Sequence, residues 1–546
     1  MTEQASPLWT TRTTEVNKTG TWRSLLPNYH NSPSPCHNAC PVNGNIATWI
    51  QEIKAKDYYA AWLTLMDNNP FPAIAGRICH HPCETPCNRK ELDEAVGICN
   101  LERFVGDVAL EKKWQIPKAD ITKTETVAVI GGGPSGLSAA YQLRRAGYAV
   151  TLFEAREQLG GLMRYGIPSY RLSKKVLDGE IQRIVDLGVE VKTGIGEIDA
   201  EALGRVRDEF DGVYMAIGAG RSKVLPGLDY SREWVMDSAE FLARTNQDQP
   251  IELGDHLAVV GGGSAAMDVA RTARRLGKRV TILSLEPETL MPAQREEVEE
   301  AGEEQVMFVD GAMLQSVNTL SDGLELCCIK VNFKPGAQRG QFSIESIPGS
   351  EFKVKADAII PAIGQEVALE NWAELSTDDR PVVNIDAGHQ TPVPGVFAGG
   401  DFASLERFVT HAVGMGKRAA RDIERYLNKS AVPALIAMQE VSYQSINTYY
   451  HTDAKREIQS AEPLPQRLES FTEVQRGLSV EQALAEAERC FSCGSCIYCD
   501  NCYYFCPDMA ITKLEKGYEV KTDYCKGCGL CAAECPTGTI IMQEEI

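Results

Sequence analysis

The stretch TVAVIGGGPSGLSAAYQLRRAGYAVTLFEA, residues 126–155, decides how the centre of this chain folds. An apolar, β-branched run breaks into three glycines, passes through a helical-period segment, and returns to a second apolar run closed by an acid. Gly131, Gly133 and Gly136 form G-x-G-x-x-G, Pro134 and Ser135 open the helix, and Glu154 ends the second strand. Glycine permits the tight turn and lets backbone N–H groups at the helix start approach a pyrophosphate, while the acid can bond ribose hydroxyls. Glycines alone are a weak signal; the order strand, helix, strand, acid makes this one specific.

A second copy, HLAVVGGGSAAMDVARTARRLGKRVTILSLE, covers residues 256–286. Gly261, Gly263 and Ala266 take the three glycine positions, with Ser264 and Ala265 between. Two nucleotide folds in series imply one cofactor that stays and one that visits. The later GVFAGGD, residues 395–401, carries Gly400 and Asp401 and reads as a return to the first fold, where the acid meets the ribityl–pyrophosphate region of FAD. Met215–Ala219, with Gly218, reads as the crossover between the two folds.

The cysteines read differently. Of eighteen, six lie between Cys36 and Cys99, ten between Cys490 and Cys535, and only Cys327 and Cys328 lie elsewhere, in a strand-like run suited to small buried hydrophobes. CIYCDNCYYFCP (496–507) and CKGCGLCAAECP (525–536) are both C-x2-C-x2-C-x3-C-P. In bacterial ferredoxins this spacing holds two 4Fe–4S clusters, each run lending its fourth cysteine to the other cluster. The expected sets are Cys496, Cys499, Cys502 and Cys535, and Cys525, Cys528, Cys531 and Cys506.

SPCHNACPVNGNI (34–46) and GRICHHPCETPCNRKE (76–91), joined by a helical-period segment, resemble the amino-terminal iron–sulfur domain of the glutamate synthase small-subunit family, shared with dihydropyrimidine dehydrogenase. The resemblance implies that Cys40, Cys79, Cys83 and Cys87 hold one 4Fe–4S cluster. The family's second cluster draws on a C-x2-C pair just upstream, and LLPNYHNSPSPC (25–36) has none. Cys36, Cys99, Cys490 and Cys493 are left over: either a fourth cluster bridging the chain ends, with Glu102 another conceivable ligand because some relatives use a carboxylate nearby, or free thiols.

The same resemblance extends over roughly residues 30–430. GGLMRYGIPSYRLSK (160–174) matches the family's flavin-contacting loop, implying contacts from Gly161, Arg164 and Ile167. FVTHAVGMGKRAA (408–420) resembles the helix whose start faces the flavin, through Thr410, His411 and Ala412; its dipole would stabilise an anionic reduced ring. NADPH users in the family carry Tyr-Arg-Arg after the second nucleotide strand, where this chain has Ser284, Leu285 and Glu286. A carboxylate repels a 2′-phosphate and can accept from a ribose diol, so NAD(H) is expected over NADP(H).

Length and composition fit a multidomain α/β protein: 546 residues, 43% apolar and 24% charged. The expected layout is a helical iron–sulfur domain (1–118), an FAD-binding domain (119–245 and 380–430), an NAD(P)-binding domain (246–379), a linker (431–489) that drapes over the core, and a two-cluster ferredoxin domain (490–546). A net charge of −20 argues against nucleic acid, and no apolar run reaches membrane length. MTEQASPLWTTRTTEV reads as no signal peptide, so a cytoplasmic location is expected.

Hydride transfer needs no acid–base pair, so no catalytic side chain is nominated, and His80, His81 and His411 are given no proton-transfer role. The parts read as NAD(P)H:acceptor oxidoreductase: hydride from NADH to FAD, then single electrons through three clusters, with a fourth open, to or from a protein partner. Ferredoxin-fused relatives resemble electron-entry subunits of 2-oxoacid:ferredoxin oxidoreductases or the NADH-linked partner of dissimilatory sulfite reductase. Two alternatives stand beside this reading, an NADPH-dependent glutamate synthase small subunit and a redox-sensing interaction protein; a homodimer is open as well.

Overall fold

The computed structural model of the chain describes residues 20, 23–30, 32–336, 341–376, 378, 380–431 and 439–545. The leading segment read for a signal peptide lies outside the described residues, as do residues 432–438 of the expected linker.

The quoted stretch builds the middle of a five-stranded parallel sheet. Its order is Val396–Ala398, Gly212–Met215, Thr126–Ile130, Ala149–Phe153, Glu190–Lys192. Val127, Ala128 and Val129 are fully buried, as expected for a strand between helical layers. Val396–Ala398 joins this sheet only after an entire second unit has been inserted. That unit is a four-stranded parallel sheet in the order Ala358–Pro361, His256–Val260, Arg279–Leu283, Met307–Val309. Beside it stand three antiparallel strands, Ala312–Leu320, Gly323–Pro335 and Phe342–Ala356. Cys328 is buried there with Leu324, Leu326 and Ala356. A short ribbon, Arg221–Ser222 against Gln365–Glu366, spans the two crossings between the parallel sheets.

Five helices, Pro35–Ala39, Ile46–Lys54, Tyr58–Met66, Pro72–Ile78 and Ile98–Glu111, build the described part of the amino-terminal unit. Trp49, Ile50, Ile53 and Trp62 share one continuous core with the first sheet. Glu180, from the helix Lys174–Asp186, reaches across the joint and accepts the Ala73 and Ile74 N–H groups at 2.9 Å, satisfying the start of helix Pro72–Ile78.

The chain ends depart from the expected layout. Leu25–Tyr29 pairs antiparallel with Ile540–Glu544, so a strand from the first 118 residues completes the carboxy-terminal unit. Among the described residues Ile540–Glu544 pairs with no other strand, so this pairing covers an edge that would otherwise be open. The segment from 439 to 489 is also more than a draped tether. Its helix Val480–Glu488 packs on Ile46–Lys54 and Ile98–Glu111, and buried Glu486 accepts from Gly97 N at 2.6 Å and Glu457 N at 2.7 Å. Tyr450 donates to Glu534 at 2.5 Å and His451 packs on Phe491, whereas Tyr449 points outward.

Candidate functional site

The first glycine turn is built for close backbone approach. Gly131 has φ 107° and donates to Phe153 O at 2.8 Å; a Cβ there would stand 2.3 Å from Ala216 O, so only glycine fits. Glu154 is clamped beside the turn, Oε2 accepting from Gly132 N at 2.7 Å and Oε1 from Arg156 N at 2.9 Å. The loop after Glu154 folds so tightly over the turn that a Cβ on Gly161 would lie 2.9 Å from Gly133 Cα. This cradle presents backbone, not side chains, at Gly133, Pro134 and Gly161. Ser135 Oγ is 2.7 Å from Tyr214 OH, and a Cβ on Gly400 would lie 3.0 Å from that of Ser135, which brings the late motif over the same turn.

Not every residue implied by resemblance faces the cradle with its side chain. Arg164 Nε donates to Leu159 O at 2.5 Å and its guanidinium pairs with Asp178, so its charge is held inside the loop. Ile167 offers its carbonyl to Lys174 Nζ at 2.6 Å, and burial pushes that amine down to about 7. Gly218, at φ 75°, turns the chain out of the strand Gly212–Met215. Burial raises the Asp401 carboxyl to about 6, with Arg407 pulling the other way.

Thr410, His411 and Ala412 lie in the first turn of helix Val409–Leu427. Together with Asn38, Cys40, Pro41 and His80, the first two line a cavity of about 580 Å³. His411 Nδ1 is buried without a hydrogen-bond partner among the described residues. A backbone cradle, a clamped acid and an orphaned nitrogen at an electropositive helix start all fit FAD.

The second turn repeats the first. Gly261, at φ 138°, donates to Leu283 O at 2.8 Å, as Gly131 does to Phe153 O. Gly263 precedes helix Ser264–Arg275, whose first residues are Ser264, Ala265 and buried Ala266. Ser284 Oγ donates to Glu286 Oε2 at 2.7 Å, and a Cβ on Gly262 would lie 3.1 Å from that same oxygen. Glu286 thus lies over the second turn as Glu154 lies over the first. Arg171, which sequence reading passed over, ties the flavin loop to the nucleotide helix: its guanidinium meets Asp268 at 2.8 Å and Glu297 at 2.6 Å.

Thiols gather in four places. In the carboxy-terminal unit Cys496, Cys499 and Cys502 each stand within charge–charge reach of Cys535, and Cys525 and Cys531 within reach of Cys506 and Cys528. These are the two expected quartets. In the amino-terminal unit Cys83 neighbours Cys40 and Cys79, and Glu102 is the foremost charged neighbour of both Cys40 and Cys79. Glu102 is half-buried, its carboxyl accepts from Asn69 Nδ2 at 2.7 Å, and loss of solvent around that carboxyl raises it to about 7. Cys87 stands apart from the expected set: its thiol neighbours are Cys490, Cys36 and Cys493, and the side chain of adjacent Asn88 donates to Cys493 Sγ at 3.5 Å.

Burial raises Cys40 to about 11 and Cys79 to about 12, with Glu102 adding to both; crowded buried thiolates require a cation among them, and deprotonate to bind it. Backbone N–H groups already aim at several sulfurs, from His81 to Cys79 at 3.3 Å, Ala510 to Cys506 at 3.3 Å and Thr539 to Cys535 at 3.4 Å. Such bonds tune iron–sulfur clusters. Among the described residues no three His, Cys, Asp or Glu side chains close up as around a single ion, the ferredoxin quartets included. A cube of four irons spaces its ligands more widely than one ion does.

Cys79 also bonds Thr410 Oγ1 at 3.6 Å, and a Cβ on Gly414 would meet Pro41 O at 2.2 Å, so the amino-terminal thiol group abuts the start of helix Val409–Leu427. A dinucleotide fold and a group of thiols therefore share a wall, and a protein so arranged is an iron–sulfur flavoprotein oxidoreductase. Residues 125–416 match the pyridine nucleotide-disulphide oxidoreductase family, and the chain belongs to it. Residues 29–114 match dihydropyrimidine dehydrogenase domain II, 4Fe-4S cluster, and residues 518–541 a 4Fe-4S binding domain. The NADP(+)-dependent formate dehydrogenase subunit beta of Moorella thermoacetica is 33% identical over 502 residues, 84% of this chain and 70% of that one. The NADPH-Fe(3+) oxidoreductase subunit beta of Geobacter sulfurreducens is 32% identical over 509 residues, 84% of this chain and 75% of that one. The NAD-dependent dihydropyrimidine dehydrogenase subunit PreT of Escherichia coli is 33% identical over 398 residues, 72% of this chain and 91% of that one. Among the described residues no helix is long and apolar enough to cross a membrane.

Proposed function

We propose that the chain accepts hydride from NADH at the second nucleotide fold, onto FAD held by the first, and delivers single electrons to a redox partner through its clusters. FAD, when bound, supplies the conversion between two-electron and one-electron transfer. The protein's own share is placement. Gly131, Gly133 and Glu154 hold the dinucleotide, Gly400 and Asp401 close over it, and the start of helix Val409–Leu427 sets the field at the ring. Cys40, Cys79 and Cys83, with Glu102 as fourth ligand, form the cluster site nearest the flavin; eight ferredoxin cysteines form two more.

The observation that carries this reading is the shared wall, where Cys79 Sγ lies 3.6 Å from Thr410 Oγ1. What supports NADH is Glu286, fixed over the second turn by Ser284, which sets a carboxylate where a 2′-phosphate would need a cation. The relatives are named for NADP(+), NADPH or NAD, so the choice rests on this chain's own residue. The partner is a larger oxidoreductase to which this chain serves as electron-entry subunit, as the relatives' description as subunits suggests.

The test is anaerobic stopped flow with NADH and NADPH, followed by EPR of frozen samples. Flavin bleaching that is faster with NADH and precedes reduced-cluster signals is expected. Failure of both nucleotides to bleach the flavin would sink the proposal, and faster bleaching by NADPH would sink the part assigned to Glu286.

A further inference from the structure

The leftover cysteines are not scattered. Cys36 Sγ stands within charge–charge reach of Cys490, Cys87 and Cys493, and Cys493 within reach of Cys490 and Cys87. Cys36, Cys87 and Cys490 pack against one common core, while Asn88, next to Cys87, bonds Cys493 Sγ at 3.5 Å. Cys99 lies elsewhere: its neighbours are Cys79, Glu84 and Glu102, and its thiol donates to Ala75 O at 3.6 Å.

The turn from Cys490 to Cys493 is also shaped for a purpose that a buried free thiol does not need. In each ferredoxin run the second residue after the first cysteine has positive φ, 55° at Tyr498 and 69° at Gly527. Gly527 N thereby donates to Cys525 Sγ at 3.4 Å. Ser492 holds the same position in C-F-S-C, has φ 54°, and donates its N–H to Cys490 Sγ at 3.4 Å. Serine rarely takes this conformation, and here it is buried as well. A strained residue that aims an N–H at a sulfur marks a ligand turn.

The two contributing segments are locked together. Arg89 Nη1 donates to Arg489 O at 2.9 Å, Arg489 pairs with Asp93 at 2.9 Å, and Lys54 Nζ donates to Cys490 O at 2.9 Å. We infer that Cys36, Cys87, Cys490 and Cys493 form a fourth 4Fe–4S site, with two ligands from each end of the chain. The pair at 490 and 493 stands in for the C-x2-C that residues 25–36 lack. The inference rests on the reading of the chain as an iron–sulfur flavoprotein, and it places the new site between the other clusters. Cys36 lies four residues before Cys40 along helix Pro35–Ala39, about 6 Å at the helical rise of about 1.5 Å per residue. Cys493 lies three residues before Cys496, so their Cα atoms are within about 11 Å at about 3.6 Å per extended residue. Electrons from the flavin side reach the ferredoxin through this site.

Iron and acid-labile sulfide counted against FAD in the anaerobically purified full chain test this directly. About sixteen irons per FAD are expected, against about twelve for three clusters of four irons each. A Cys490→Ser/Cys493→Ser chain should lose about four of them and keep NADH-driven flavin bleaching, while its ferredoxin EPR signals no longer develop with NADH but still appear with dithionite. Cys99→Ala should keep the full count. About twelve irons in the unaltered chain, one zinc per chain in place of four irons, or an unchanged count in the double variant would each overturn the site. Loss of four irons in Cys99→Ala would overturn this choice of quartet. Should the double variant fail to fold, the count on the unaltered chain decides. Loss of bleaching by NADH in the unaltered chain would instead strike the proposed function, so the two failures are told apart.

Discussion

At the scale of single residues, Glu286 is the sharpest handle on cofactor choice. Its carboxylate is pinned by Ser284 at 2.7 Å and overhangs Gly262. Replacing it by arginine removes a negative charge and offers a donor fork to a 2′-phosphate. Glu286→Arg should lower the NADH-to-NADPH ratio of flavin-bleaching rates at least tenfold, about 1.4 kcal/mol in differential binding, as read by stopped flow. This residue was legible from sequence because a strand's end fixes where an acid points. Cys87 was not. Three cysteines at equal four-residue intervals read as one set, yet Cys87 caps the turn Asn88–Glu91, whose next side chain, Asn88, reaches Cys493. Interval alone does not say which way a sulfur faces, and of the thiols near Cys87, Cys490 and Cys493 lie some four hundred residues further along the chain.

Among the elements, the segment ending in helix Val480–Glu488 shows how local pattern and tertiary role can part. Its helix was readable from periodicity and from its capping box, Ser479 with Gln482. Its docking was not, since that depends on buried charges: Arg489 is 1% exposed and Asp93 joins it to Arg89. Burial works to raise the Asp93 carboxyl, but hydrogen bonds from Arg89 and Ala454 N, and the Arg89 charge, outweigh it and hold the group well below the usual carboxylate range. The folded value is the lower one, so this stabilisation is fully present above the usual carboxylate value and is lost as pH falls through the folded value. Asp93→Asn should lower stability by about 1–3 kcal/mol at neutral pH, with faster hydrogen exchange in Val480–Glu488 and loss of this acid-labile component. An unaltered exchange pattern would mean that the helix docks on its apolar face alone. The pairing of Leu25–Tyr29 with Ile540–Glu544 was hidden for another reason. Pro27 reads as a strand breaker, and only an edge position, such as its place opposite Met542, accommodates it.

For the whole molecule, the two nucleotide folds and the ferredoxin were open to sequence reading because each is specified within about thirty to forty residues by turn chemistry or ligand spacing. Their wiring was not, since it lies in contacts between segments hundreds of residues apart. That wiring makes a prediction about series order. If electrons enter at the second nucleotide fold and leave from the ferredoxin, damage at the exit must spare the entry. Cys499 and Cys528 are the exposed members of the two ferredoxin quartets, and Tyr498, Tyr504 and Phe505 expose their rings on the same unit, so this surface brings ligand sulfurs nearest to a partner. Cys499→Ser and Cys528→Ser together should leave the first flavin bleaching by NADH within about twofold, since the hydride step involves neither residue. Steady-state reduction of a one-electron protein acceptor should fall at least tenfold, because the conversion to single electrons then has no outlet at the surface. Retained acceptor reduction would mean that electrons leave closer to the flavin, by the cavity wall at Cys40, and that the ferredoxin serves as an entrance rather than an exit.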